Sequence, residues 1–267
     1  MKEIRLILIL FFLVYNNSFS QELYINTEPA SLIPKGSKVL RLNNSNIFLK
    51  DFNGNSLKTA KLFVPSFSYG ISKRIMLTTS FQFSNDPDIP TNPKFGFNGF
   101  KLYSKQRIFS TDKQKFHTRL SSFIKYAYHD DKFMKDNLDI DLQDTGLEFG
   151  LLGTQLIEKL AISITSGLGI YTTENLKLSK NSISLGYLVF PRRYKSYKQT
   201  NFNIYFEYMT NTVLDSDFSL KYDRFSYTIA PGIQFVIFSR SRLDFSYKKR
   251  KGGNKNEFLV KLTYIIY

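Results

Sequence analysis

The stretch FSYTIAPGIQFVIF, Phe225–Phe238, alternates between two kinds of side chain. From Tyr227 to Ile237, every second residue is large or apolar, while the residues between them are small or polar. Successive side chains of a β-strand point to opposite faces, so this pattern predicts a strand with one apolar and one polar face. Pro231 falls on the apolar face and Gly232 on the polar face. A Pro–Gly pair inside a strand predicts a bulge or bend.

The same alternation recurs along most of the chain. Apolar residues occupy most alternate positions within Leu77–Phe83, Leu120–Tyr128, Leu147–Leu151, Ile162–Ile170, Ile183–Val189, Phe202–Tyr208, Leu243–Tyr247 and Val260–Ile266. Many of these segments extend to about ten residues, the length of a tilted transmembrane strand, whereas ordinary strands average about 5–6. A soluble β-sandwich also alternates, but the strand length favours a membrane barrel.

The connections between these segments differ in length from one side to the other. Shorter turns are predicted at Gly70–Lys73, Ser110–Lys115, Ile157–Leu160, Pro191–Thr200 and Ser239–Arg242. Longer loops are predicted at 51–58, 85–94, 129–143, 173–181, 211–223 and 249–256. This difference is typical of outer-membrane barrels. We therefore predict an all-β, transmembrane, antiparallel up-and-down β-barrel of about twelve strands. Ten or fourteen strands remain compatible, because Lys38–Phe48 and Phe95–Phe109 alternate poorly.

The N-terminus predicts export. Lys2 and Arg5 precede an apolar run, Leu6–Tyr15, and the small residues Ser18 and Ser20 precede Gln21. These are the parts of a cleavable secretory signal, and an apolar run of about ten residues is too short to span a membrane as a helix. We predict a signal peptide at 1–20, a periplasmic lead-in at 21–36 and the barrel at 37–267. The predicted location is the outer membrane of a Gram-negative bacterium.

Three short motifs carry a resemblance to known proteins. The C-terminal strand Leu262–Tyr267 ends in an aromatic residue, which resembles the assembly signal of outer-membrane barrels and implies the barrel-assembly machinery as a partner. The signal ending SFSQ (18–21), the lead-in YINTEPAS (Tyr24–Ser31) and the Lys- and Asn-rich loops resemble outer-membrane β-barrel proteins of the Bacteroidota. That resemblance implies a porin-like or transporter-like function.

Enzymatic and metal sites are disfavoured. The chain has no cysteine and two histidines, His117 and His129, and it lacks the motifs of barrel lipases. We predict no enzyme, no catalytic residue, no metal site and no cofactor; a barrel-embedded hydrolase is the least favoured alternative. The loop His129–Gln143 is rich in aspartate, but it lacks the glycine and the spacing of an EF-hand. Whether that loop binds a cation stays open.

The polar residues that alternate with the apolar ones are predicted to line the inside of the barrel. The residues that we expect along a solute path are Gln82, Arg119, Lys125, Glu148, Glu207, Gln234, Asp244 and Lys261. Eight strands leave a filled interior and 16–18 leave a wide channel, so about twelve predict a narrow channel or transporter for small polar solutes. The alternative is a non-conducting surface or structural protein that acts through its loops. Opposed charges such as Asp244 and Lys261 could pair and plug the bore.

The net charge of +15 predicts partners at the membrane surface. Lipid headgroups and lipopolysaccharide provide enough negative charge to satisfy it. We therefore expect these lipids as partners and no nucleic acid.

Overall fold

A computed structural model describes residues 24–50, 56–85, 95–113, 115–129, 145–172, 176–191, 199–214, 225–251 and 255–267. The predicted signal peptide and nearly all of the acidic loop after His129 lie outside the described residues. The described part contains no helix that could span a membrane.

Twelve strands form one closed antiparallel barrel. The strands are β1 Lys38–Lys50, β2 Ser56–Gly70, β3 Ile75–Ser84, β4 Gly96–Asp112, β5 Phe116–His129, β6 Gly146–Ile157, β7 Leu160–Tyr171, β8 Leu176–Phe190, β9 Asn201–Val213, β10 Phe225–Ile237, β11 Ser241–Lys251 and β12 Lys255–Ile266. Each strand pairs with its neighbours in the chain, and β1 pairs with β12 to close the ring. Closure leaves no unpaired edge, as a barrel in lipid requires. The predicted fold class and strand number are confirmed.

Alternate residues of the strands lie on the outer and the inner face of the barrel, as the sequence pattern predicts. In β3, Leu77 and Phe81 are exposed on the outside, whereas Thr78 and Gln82 are buried on the inside. The same arrangement holds in β10, where Ile233 is exposed and Gln234 is buried. A water-soluble protein seldom exposes so continuous an apolar surface. An apolar outer band with a polar interior is the arrangement of a transmembrane barrel.

Three of the predicted long loops are short, and the first of them, between β1 and β2, is 51–55. Strand β8 begins at Leu176 rather than after Asn181, and β11 continues to Lys251 rather than ending before Lys249. The connections there are 172–175 and 252–254. The polar residues at these strand ends pair with β7 and β10 through the backbone ladder, which does not depend on side-chain polarity. The expectation of a long loop at every connection on that side was therefore wrong.

The Pro–Gly pair of β10 interrupts the ladder without a bulge. Pro231 is exposed and Gly232 faces inward, as predicted. The register with β11 is the same before and after the pair, from Ile229↔Lys249 to Gly232↔Ser246, so the pair forms no bulge. The alternative, a bend, stays a prediction. Gly232 has another role: a Cβ added there would stand 2.8 Å from the Cδ1 atom of Ile25 and 2.8 Å from the carbonyl oxygen of Phe245. The glycine makes room for a segment inside the barrel.

That segment is the chain preceding β1. Residues Tyr24–Ser31, called here the lead-in, lie within the barrel and enter from the end that carries the β2–β3 turn. The entry is fixed at that end, because Gly36 N donates to Gly70 O at 2.8 Å and Gly70 N donates to Ser37 O at 3.0 Å. Gly36 has a φ of 82°, a conformation that favours glycine. The described part of the segment 21–36 that the sequence predicted as a periplasmic lead-in therefore contacts the inner wall of the barrel.

Candidate functional site

The lead-in is bonded to strands on all sides of the lumen. Ala30 N donates to Thr154 Oγ1 on β6 at 2.8 Å, and Ser121 Oγ on β5 donates to Ala30 O at 2.6 Å. The Thr27 hydroxyl shares a 2.6 Å hydrogen bond with Ser184 on β8. An irregular backbone can be buried only where its polar groups are satisfied, and here the barrel wall satisfies them.

Glu207, at the middle of β9, holds the end of the lead-in. Its carboxylate accepts hydrogen bonds from Asn26 N at 3.1 Å, from Thr27 N at 2.9 Å and from Thr27 Oγ1 at 2.8 Å. The Asn26 side chain donates to the same carboxylate and also to Ser246 Oγ. Hydrogen bonds to a charged acceptor are stronger than neutral ones. Glu207 faces inward as predicted, but it binds the chain's own backbone.

Arg119 and Lys261 also contact the lead-in. Arg119 donates to Ser31 Oγ at 3.0 Å and to Asp112 Oδ1 at 3.1 Å. Lys261 Nζ donates to Ile25 O at 3.2 Å. Three of the eight residues predicted to line a solute path therefore help to hold the lead-in inside the lumen.

Apolar side chains pack around the first described residues inside the lumen. Tyr24 and Ile25 form one buried cluster with Ala161, Tyr205 and Leu259, which come from β7, β9 and β12. Burial, followed by the negative charge of Glu207, raises the pKa of the Tyr24 hydroxyl. Because the cluster joins strands that are far apart in the ring, Tyr24 and Ile25 narrow the bore at the level of these residues.

The half of the lumen nearer the long loops carries a different network. Glu148 pairs with Lys125 on β5 and Lys180 on β8, and it accepts a hydrogen bond from the Tyr171 hydroxyl. Lys248 and Glu257 form a second ion pair at 3.0 Å. The predicted lining residues Lys125 and Glu148 therefore contact each other directly.

The remaining predicted lining residues also face inward. Gln234 accepts a hydrogen bond from Asn203 Nδ2 at 3.0 Å, and in register it lies between Asn203 and Asp244. Asp244 in turn lies opposite Lys261 on β12 in the backbone register. Gln82 is buried on β3. All eight residues thus face the interior, but they are spread over its height rather than gathered in one site.

The two histidines have structural contacts. His117 Nδ1 lies 2.8 Å from Asp112 Oδ1 at the turn end, and His129 N donates to Thr145 Oγ1 at 3.1 Å. Among the described residues, no group of three or more potential metal ligands comes together.

Sequence reasoning missed a charged contact between the lead-in and the wall. Glu28 lies 3.7 Å from Arg41 Nη1 on β1 and 3.3 Å from Lys105 Nζ on β4. Burial opposes ionisation of Glu28, but Lys105, Arg41, Lys261 and Lys101 together lower the pKa of its carboxyl to about 2. Arg41 and Lys105 belong to the two segments with the poorest alternation, which hid the direction of their side chains.

Solved structures of outer-membrane channels are similar to this chain in fold. A channel from Pseudomonas putida F1 aligns over 91% of this chain and 100% of its own, with a TM-score of 0.58 and 11% sequence identity. The KdgM porin aligns over 85% and 99%, and the NanC porin over 84% and 98%, each with a TM-score of 0.52 and 7% identity. At such identities the likeness is one of fold. No protein-family model and no curated protein matches the sequence.

Proposed function

We propose that this protein is an outer-membrane channel for small polar solutes, narrowed by its own N-terminal segment. The observation that carries the proposal is the charged lining of a closed twelve-stranded barrel whose outer face is apolar. Buried charges are costly without partners or water, so a lining with this many charges fits an aqueous lumen better than a packed core. The similarity in fold to channel barrels supports the same function.

The charge of the lining favours anions. Basic side chains outnumber acidic ones among the described inward-facing residues of the wall. The buried or half-buried bases are Arg41, Lys101, Lys105, Arg107, Arg119, Lys125, Lys180, Arg242, Lys248, Arg250 and Lys261, and the acids are Glu148, Glu207, Asp244 and Glu257. The low dielectric constant of the barrel wall strengthens the effect of lining charges on ions in a narrow bore. A small excess of basic over acidic side chains therefore changes the ion selectivity. We propose a preference for anionic over cationic solutes.

The lead-in itself supports a second candidate function. A segment bonded to many strands could close the lumen, and the protein would then act as a non-conducting surface or structural protein through its loops. Planar-bilayer recording separates the two candidates. We expect the mature protein to conduct with low unitary conductance, and the chain lacking 24–31 to conduct at least about twofold more. Absence of conductance in both proteins would favour the second candidate.

We propose the outer membrane as the location, with cleavage of the signal before Gln21, and lipopolysaccharide, lipids and the assembly machinery as partners. The Bacteroidota-type origin and the lack of enzymatic activity stay predictions from the sequence. The mature protein should fractionate with the outer membrane, resist carbonate extraction and change its mobility on gels after heating. Release by carbonate would contradict this location.

A further inference from the structure

Arg41 and Lys105 form a cationic pair on the inner wall. The Lys105 side chain is 0% exposed and the Arg41 side chain 6% exposed, whereas Glu28 between them is 37% exposed. Within the described residues, both acceptors of Lys105 Nζ lie on the lead-in: Glu28 Oε2 at 3.3 Å and the Pro29 carbonyl oxygen at 2.8 Å. The wall therefore supplies two buried cations, and the lead-in supplies the carboxylate between them.

The two cations lie on the barrel wall, whereas the anion that compensates them lies on the lead-in. A buried ammonium group destabilises the fold unless an anion and hydrogen-bond acceptors compensate its charge. A wall built only to be stable would carry both members of the ion pair, as Lys125 and Glu148 do on β5 and β6. At Arg41 and Lys105 the anion is carried by a segment outside the strands. The neighbouring cations Lys101 and Lys261 also act on Glu28.

We infer that Arg41 and Lys105 form a binding site for the carboxylate of an anionic solute, and that Glu28 occupies this site as a tethered substitute. The inference rests on the proposed channel function and specifies its solute class. Guanidinium and ammonium groups together bind a carboxylate by charge-assisted hydrogen bonds. The exposed part of Glu28 shows that the site opens onto the lumen, so a solute carboxylate can compete with it there.

If Glu28 competes with a solute carboxylate for Arg41 and Lys105, removing the charge of Glu28 should strengthen solute binding. A group on a short tether acts at an effective concentration in the millimolar range or above. Glu28→Gln keeps the size of the side chain and removes the competing anion. We expect this variant to bind succinate at least about tenfold more tightly than the wild type. The readout is the succinate-dependent rise in the unfolding temperature of the detergent-solubilised barrel, which does not require conduction.

Three controls make the test specific. Glu257→Gln removes another lumen carboxylate, one bonded to Ser45 and Lys248 rather than to the lead-in, and should leave succinate binding unchanged. Adding Lys105→Met to Glu28→Gln should abolish the gain. Sodium chloride at matched ionic strength should not reproduce the stabilisation, because screening alone is not binding. If Glu28→Gln fails to fold, the chain lacking 24–31 exposes the same two cations and takes its place.

The outcomes separate this inference from the channel proposal. Tighter succinate binding that depends on Lys105 supports the site, even if no variant conducts in bilayers. Equal binding by the wild type and Glu28→Gln, or a gain that persists with Lys105→Met, would overturn the site, even if the barrel conducts.

Discussion

At the scale of single residues, the direction of a side chain decides which substitution the barrel tolerates. Ile164 is 55% exposed on the outer face of β7, whereas its neighbour Thr165 faces the lumen. Ile164→Arg should destabilise the barrel by about 2–4 kcal/mol, because it places a charge in the lipid-facing band. Thr165→Arg should cost less, since the same charge enters a polar interior. Urea unfolding in lipid vesicles measures both, and reversed severities would contradict the assigned faces.

Glu28 gives a prediction about pH. Its pKa of about 2 lies below the ordinary glutamate value of 4.5, so its ion pairs stabilise the folded state fully above that ordinary value. That stabilisation is lost as the pH falls through the window from 4.5 towards 2. Difference infrared titration of wild type against Glu28→Gln should therefore show a carboxylate still ionised at pH 4. Protonation at pH 4.5 or above would mean that Arg41 and Lys105 do not hold it.

At the scale of elements, the docking of the lead-in depends on Glu207. Glu207→Gln replaces a charged acceptor of several hydrogen bonds with a neutral amide, and bonds to charged groups contribute about 1.5–3 kcal/mol each. Hydrogen exchange in the peptide 24–31 should become faster while the strands stay protected. Glu257→Gln is the matched control, because its partners Ser45 and Lys248 belong to the wall. Unchanged exchange in Glu207→Gln would contradict the docking role.

Gly232 tests the packing of the lead-in from the neighbouring strand β10. Gly232→Ala should cost about 1–3 kcal/mol by overpacking against Ile25 and the Phe245 carbonyl. Gly153→Ala is the control, since a Cβ there meets nothing within 4 Å. Part of the penalty should disappear in the chain lacking 24–31, as measured by urea unfolding. An equal penalty with and without the lead-in would show that the glycine serves only the sheet.

The elements also show what the sequence could predict and what it could not. Strands such as β3 and β10 were predictable because a period of two is a local property of the chain. The lead-in was not, because Glu28 and Asn26 meet partners that lie far away in sequence, such as Lys105 and Glu207. The inward direction of Arg41 and Lys105 was not predictable for a different reason. In β1 and β4 the outward-facing positions include polar residues such as Asn44 and Gln106, so the sequence pattern did not distinguish the inner face from the outer face.

At the scale of the whole molecule, the ring depends on the pairing of its first and last strands. Leu42 on β1 lies opposite Leu262 on β12, and both are exposed on the outer face. Paired residues in an antiparallel ladder have Cα atoms about 4.5–5.5 Å apart, within the range that a disulfide spans. The chain contains no cysteine, so introduced cysteines can pair only with each other. Leu42→Cys with Leu262→Cys should therefore form a disulfide in the folded barrel.

A matched pair separates closure from chance proximity. Leu243 on β11 lies opposite Leu262 and is therefore two strands away from Leu42. The spacing between neighbouring strands places the Cα atoms of Leu42 and Leu243 about 9–10 Å apart. Leu42→Cys with Leu243→Cys should remain reduced under the same mild oxidation. In the cross-linked protein, heating before electrophoresis should give a looped chain that runs differently from its reduced form. Equal cross-linking of both pairs, or none in the first, would mean that β1 and β12 do not close the barrel in the register described.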